Sequence, residues 1–173
     1  MKKDNRPIGI FDSGLGGLTV VASLRKSLPN ENIIYLGDTA RVPYGDKSPE
    51  NIAKFAIQDA EFLIERGVKA IIAACNTVSA VAMQALKDRF PNIPLIGVLE
   101  AGINSCVERK PNLVMIIGTR ATISSDAYRR GMHSLNPAII VKSVAAPLLV
   151  PIVEEGLQDE PIAEAAVQLY LGG

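Results

Sequence analysis

Residues Ala73-Ala74-Cys75-Asn76-Thr77 present one cysteine in a turn of small residues, between the apolar run Val68 to Ile72 and a segment, Val78 to Phe90, whose pattern predicts a helix. A thiol where a strand ends and a helix begins is placed for acid/base or nucleophilic work. Backbone N–H groups and the positive helix end favour thiolate there, so the sequence predicts a Cys75 pKa below the ordinary value of about 8.5. A buried, inert cysteine is the alternative. Three further loops carry polar groups in the same kind of position. Asp12-Ser13-Gly14-Leu15-Gly16-Gly17 has glycines that permit tight turning and leave backbone donors open to an anion such as a carboxylate. It is not a Walker loop, and Thr19 stands where GxGxxG needs its third glycine. Gly37-Asp38-Thr39-Ala40-Arg41-Val42-Pro43-Tyr44-Gly45 is a polar loop in which Tyr44 either meets a ligand or packs as a lid. In Gly118-Thr119-Arg120-Ala121-Thr122 the hydroxyls either cap a helix or bind a carboxylate.

Such loops need a scaffold, and the sequence alternates in a way that supplies one. Short apolar runs at Ile8–Phe11, Ile33–Leu36, Ala70–Ala73, Leu95–Val98, Val114–Ile117 and Ile139–Val141 suit strands buried on both faces. Helical patterns lie between them at about Gly17–Ser27, Pro49–Arg66, Val78–Arg89, Ala101–Arg109, Ser124–Ser134 and Pro147–Glu155. Pro161, after Asp159 and Glu160, opens a last helix that runs to about Leu171. The alternation predicts an α/β fold with parallel sheet and right-handed crossovers, in which ligands bind at the carboxyl ends of strands.

Composition narrows the function further. The chain has 173 residues, 48% hydrophobic, with 18 basic and 18 acidic side chains, which suits a globular protein. No basic cluster points to nucleic acid, and no run reaches membrane-spanning length, so a cytoplasmic location is expected. Two distant cysteines and one histidine favour neither a disulfide framework nor a metal centre. Cys106 falls inside a predicted helix and reads as a structural thiol, and His133 near a helix end reads as a surface or capping residue.

Taken together, the loops resemble the glutamate racemase family. Ile8-Gly9-Ile10-Phe11-Asp12-Ser13-Gly14-Leu15-Gly16-Gly17-Leu18-Thr19 resembles its amino-terminal signature, and Tyr35 to Gly45 its second. Ala74-Cys75-Asn76-Thr77 is similar to its first catalytic cysteine motif. Gly118-Thr119 with Thr122, and Leu149-Val150-Pro151-Ile152-Val153-Glu154, resemble later blocks, so the likeness runs from about Pro7 to Glu155 in the right order. It implies cofactor-independent inversion at Cα of glutamate by two thiols on opposite faces of the substrate, supplying D-glutamate for peptidoglycan.

On that resemblance Cys75 is one acid/base and Asp12 assists its proton transfers. Asp12, Ser13, Pro43, Tyr44, Gly45, Asn76, Thr77 and Thr119 would hold the substrate, with Thr122 a further candidate and no metal or cofactor. The family's second cysteine motif, of the Gly-Cys-Thr-His type, has no match here, and Glu154 matches an acidic position that supports the histidine of that motif. The resemblance therefore implies two similar parallel-sheet lobes around a cleft with the carboxyl-terminal part of the fold missing: residues 1–6 a tail, 7–97 the first lobe and 98–173 an incomplete second lobe. It suggests a homodimer. A one-cysteine enzyme of the wider aspartate/glutamate racemase-like superfamily, or a non-catalytic amino-acid-binding module, are the competing readings.

Overall fold

The computed structural model describes residues 4–172; Met1 to Lys3 of the expected tail, and Gly173, lie outside the described residues. The chain alternates strand and helix throughout. The first half runs β1 (Ile8–Asp12), α1 (Leu18–Ser27), β2 (Ile33–Gly37), α2 (Pro49–Glu65), β3 (Ala70–Ala73), α3 (Asn76–Val81), α4 (Met83–Arg89) and β4 (Leu95–Gly97). The second runs α5 (Val98–Glu108), β5 (Leu113–Gly118), α6 (Arg120–Ser124), α7 (Ala127–Leu135), β6 (Ile140–Ala145), α8 (Leu149–Glu154) and α9 (Pro161–Leu171). Two parallel sheets result, one of order β2-β1-β3-β4 and one of β5-β6.

β1 is central, and every one of its residues is buried. Its side chains alternate between two helical layers, as the period of a strand requires. Ile8 and Ile10 pack with Val20, Val21 and Leu24 of α1. Phe11 joins the larger core on the other face, with Ile52, Ala56, Ala60 and Leu63 of α2 and Val78 and Leu86 beyond. Helix α2 starts where its sequence directs: Ser48 caps it by accepting the Asn51 N–H at 3.3 Å, and Pro49 occupies the first turn. Full burial of each large apolar side chain in this layer contributes about 1.5–3 kcal/mol.

The register aligns the strand ends that carry the loops. Asp12 pairs with Gly37, Phe11 with Ala73 and Ala73 with Gly97, so the Asp12, Asp38, Cys75 and Val98 junctions open on one edge of the sheet. Gly118 pairs with Ala145 at the corresponding end of the second sheet. Along β5, Val114 and Ile116 pack on Leu99, Ile103 and Met132, while Leu113, Met115 and Ile117 of the opposite face are exposed.

Three element boundaries differ from the sequence expectation. The helix expected over Val78 to Phe90 begins at Asn76 and is broken at Ala82 into α3 and α4. The earlier start makes Cys75 the N-cap residue rather than a loop residue before the helix. The helix expected over Ser124 to Ser134 begins at Ala127 as α7, with α6 an additional helix before it, and Asp126 separates the two with φ +57° and ψ +14°. Its carboxylate pairs with Arg129 at 2.8 Å, which anchors the new helix start. Finally, α5 begins at Val98, so the fourth strand and fifth helix abut without a loop.

Candidate active site

Between the carboxyl edges of the two sheets lies a cleft of about 660 Å³. Every residue that the sequence marked as a site candidate lines it: Asp12, Ser13, Pro43, Tyr44, Gly45, Cys75, Asn76, Thr77, Thr119, Thr122 and Glu154. Cys106 does not; it packs beside Leu99, Ile103 and Met132 behind the cleft. His133 also lies away from it, with Nε2 3.0 Å from the Ile139 carbonyl oxygen.

Cys75 is 5% exposed, and its thiol donates to Ser13 Oγ at 3.4 Å. The expected lowering of its pKa is corrected by its surroundings. Burial pushes the thiol up and the Asp12 carboxylate pushes it further, against a smaller downward pull from Ser13 and from the backbone N–H groups of Val78 and Ser13. Helix-start donors alone lower a thiol's pKa, but desolvation of the thiolate beside a carboxylate outweighs them here. Asp12 is itself fixed, its Oδ2 accepting the Gly17 N–H at 2.8 Å. Asp12→Asn keeps an acceptor for Gly17 and removes the charge, so the thiol pKa is expected to fall. The pH dependence of Cys75 alkylation by iodoacetamide, followed by peptide mass spectrometry, reads this; a midpoint that stays or rises would contradict it.

Tyr44 behaves differently from a ligand-facing hydroxyl. It is 1% exposed, and its single hydroxyl proton is shared between the carboxylates of Asp38 and, at 3.0 Å, Asp59 Oδ2. Arg41 closes the cluster on Asp38 and on Asp59 Oδ1 at 2.8 Å, and its guanidinium lies 4.5 Å from the centre of the Phe55 ring. Tyr44 therefore anchors the loop, leaving the backbone around Gly45 to shape the cleft. Burial holds Asp59 up at about 6, with the nearby Asp38 carboxylate adding to the rise while Tyr44 and Arg41 oppose it. Sequence reasoning missed this cluster, although a signal existed. Asp59 stands on the otherwise apolar buried stripe Ile52, Ala56, Ala60 and Leu63 of α2, and a carboxylate there needs a partner.

The two sheets meet across the cleft through small polar contacts. Thr77 Oγ1 lies 3.0 Å from Thr119 Oγ1 and 3.3 Å from Thr122 Oγ1, and the last two are 3.0 Å apart. Thr119 also caps α6 by accepting the Thr122 N–H at 3.2 Å, so the capping and pocket readings of these hydroxyls coexist. Gly45 is glycine for lack of space: a Cβ there would lie 2.4 Å from Thr119 Cβ. Arg120 pairs with Asp46 at 2.7 Å. Glu154 Oε1 accepts the Leu15 N–H at 3.2 Å and closes on Gly14, where a Cβ would lie 2.2 Å from it. Its partner is thus the glycine loop that the sequence marked as an anion receptor. Tyr128, which no sequence signal singled out, reaches in from α7 to donate to Asn76 Oδ1 at 2.5 Å.

Chemically, the cleft offers one thiol, a carboxylate beside it, and a group of hydroxyl and backbone donors suited to a small carboxylate-bearing molecule. Among the described residues no helix is long and apolar enough to cross a membrane, and no group of three His, Cys, Asp or Glu side chains could hold a metal ion.

Comparison with known proteins agrees with the fold. The chain is 48% identical over 167 residues to the glutamate racemase of Neisseria meningitidis, covering 96% of this chain and 62% of that relative. It superposes on the crystal structure of glutamate racemase from Francisella tularensis in complex with D-glutamate with a TM-score of 0.91 and 49% identity, covering 98% of this chain and 64% of that one. The glutamate racemase of Thermus thermophilus in complex with β-chloro-D-alanine follows with a TM-score of 0.86 and 45% identity, covering 98% of this chain and 63% of that one. The chain thus spans less than two thirds of the length of these relatives. Residues 18–169 match the Asp/Glu/hydantoin racemase family, and with that match, the parallel α/β fold and the cysteine-bearing cleft, the chain belongs to this racemase family.

Proposed function

We propose that the cleft binds glutamate and that Cys75 exchanges its Cα proton, the half-reaction of a cofactor-independent glutamate racemase that supplies D-glutamate for peptidoglycan in the cytoplasm. The observation that carries the reading is the meeting of Cys75 with Ser13, Thr77, Thr119 and Thr122 in one cleft, together with the likeness to a racemase solved with D-glutamate. Residues 7–97 would form the first lobe and 98–173 the second, and the resemblance favours a homodimer.

In the proposed step the Cys75 thiolate takes the Cα proton and becomes a thiol, while the electron pair left on Cα is delocalised into the substrate carboxylate. Thr77 and Thr119 would donate to that carboxylate as its charge grows, and Ser13 would orient the sulfur. Asp12 would draw the proton toward Cys75 by disfavouring thiolate once the substrate has shut out water. Inversion needs a second acid on the opposite face. Cys75 lines the cleft beside Ser13, and proton exchange on one face, without inversion, is the second reading.

Proton NMR of L- and D-glutamate incubated separately with the protein in D₂O tests both. Deuterium entering Cα with inversion supports racemisation; deuterium entering one enantiomer with retention supports a one-face site. Absence of exchange from a folded sample that binds glutamate would leave a binding module.

A further inference from the structure

Beside Cys75 stands a polar side chain whose orientation decides how it meets a ligand. Asn76 opens α3, lines the cleft and accepts a hydrogen bond through Oδ1, while its Nδ2 has no hydrogen-bond partner among the described residues. An amide has two orientations that differ only by exchange of oxygen and nitrogen, and one presents donors where the other presents an acceptor. For a ligand bearing carboxylates the difference is large, because an amide oxygen facing a carboxylate repels it.

In the structure the amide oxygen is the end turned toward Tyr128. The Tyr128 ring belongs to the second lobe's core with Leu99, Ile103 and Met132, and its position follows from the turn at Asp126 that separates α6 from α7. A tyrosine hydroxyl can donate or accept, and in this structure Tyr128 is the donor, with the Asn76 amide oxygen as acceptor. The Tyr128 donor reaches Asn76 Oδ1 at 2.5 Å from across the cleft.

We propose that Tyr128 is a positioning residue for the cleft, locking the Asn76 amide with Oδ1 toward α7 so that Nδ2 is the group offered to a carboxylate of the bound amino acid. The inference rests on the glutamate-binding reading for its ligand and on the Tyr128–Asn76 pair for its geometry. It also makes the pair a link between the two lobes, since Asn76 follows β3 of the first sheet and Tyr128 belongs to the layer over the second.

Two measurements decide it. In the ligand-free protein, the side-chain ¹⁵N–¹H₂ signal of Asn76 is expected to shift in Tyr128→Phe, which keeps the ring and removes the donor. Calorimetric titration with D-glutamate is expected to show Kd about 5–10-fold higher in Tyr128→Phe, as loss of one hydrogen bond to a binding group predicts, and less than about 2-fold higher when the same change is made in Asn76→Ala. An unmoved Asn76 signal, or an equal loss of affinity in both backgrounds, would overturn the proposal. If the unsubstituted protein binds no glutamate, the proposed function fails on its own, and the Asn76 signal still decides the role of Tyr128.

Discussion

Cys75→Ala is expected to abolish deuterium incorporation at Cα of glutamate while leaving D-glutamate bound within about 3-fold of its original affinity. A positioned acid/base contributes about 10²–10⁴-fold to proton transfer, and here it is the group that accepts the proton, so the residual rate should be close to that of buffer. Binding should survive because the carboxylate donors, the Thr77, Thr119 and Thr122 hydroxyls, hold one another at 3.0–3.3 Å without help from the sulfur. Removing the thiol also removes a buried group whose partner is the Ser13 hydroxyl at 3.4 Å, a weak contact, so the fold should lose little. Exchange that persists in Cys75→Ala would move the chemistry to another residue, and joint loss of exchange and binding would make Cys75 a structural thiol.

The second large effect concerns the loop that forms one wall of the cleft. Tyr44→Phe keeps the buried ring but strips the donor from Asp38 and Asp59, leaving two carboxylates with Arg41 between them. Leaving buried charged acceptors short of a partner costs about 2–4 kcal/mol, and Tyr44→Ala should cost more because a cavity is added. The penalty should depend on pH in a defined direction. Asp59 is held at about 6 in the fold against an ordinary 3.8. Its raised pKa contributes stability that is fully present below about pH 4 and is lost as pH rises through 6. Without the tyrosine donor its ionised form is still less favoured, so Tyr44→Phe should be more destabilising at about pH 8 than at about pH 5. Urea denaturation at the two pH values checks this, and a penalty that is equal at both, or larger at pH 5, would show that Asp59 does not carry the effect. D-glutamate binding should weaken with stability, since the Gly45 backbone approaches Thr119 closely enough that a Cβ would lie at 2.4 Å.

Much of the site could be read from the chain because the fold is periodic. Six apolar runs between helical patterns specify parallel strands, and parallel strands bring all their carboxyl-end loops to one edge, so polar residues following strands converge whatever the details of packing. That is why Asp12, Ser13, Cys75, Asn76, Thr77 and Thr119, spread over 108 positions of sequence from the first to the last, line one cleft. Helix boundaries were less legible. The breaks at Ala82 and Asp126 come without proline or glycine, and Asp126 reaches its left-handed backbone through tertiary context and its own pairing with Arg129.

What the sequence determined by itself was therefore the fold class and the identity of the chemical groups, because both follow from local pattern: alternating apolar runs, glycine turns, and a thiol at a strand end. What only the tertiary structure decided was the state and partner of each group. The Cys75 thiol is raised rather than lowered because burial and the Asp12 carboxylate act through space, not along the chain. Tyr44 turns to Asp59 on a distant helix, Glu154 reaches the glycine loop 139 residues away, and Tyr128 meets Asn76 across the cleft. Charge, desolvation and hydrogen bonding depend on three-dimensional distance, and those distances exist only once the two sheets have closed on one another.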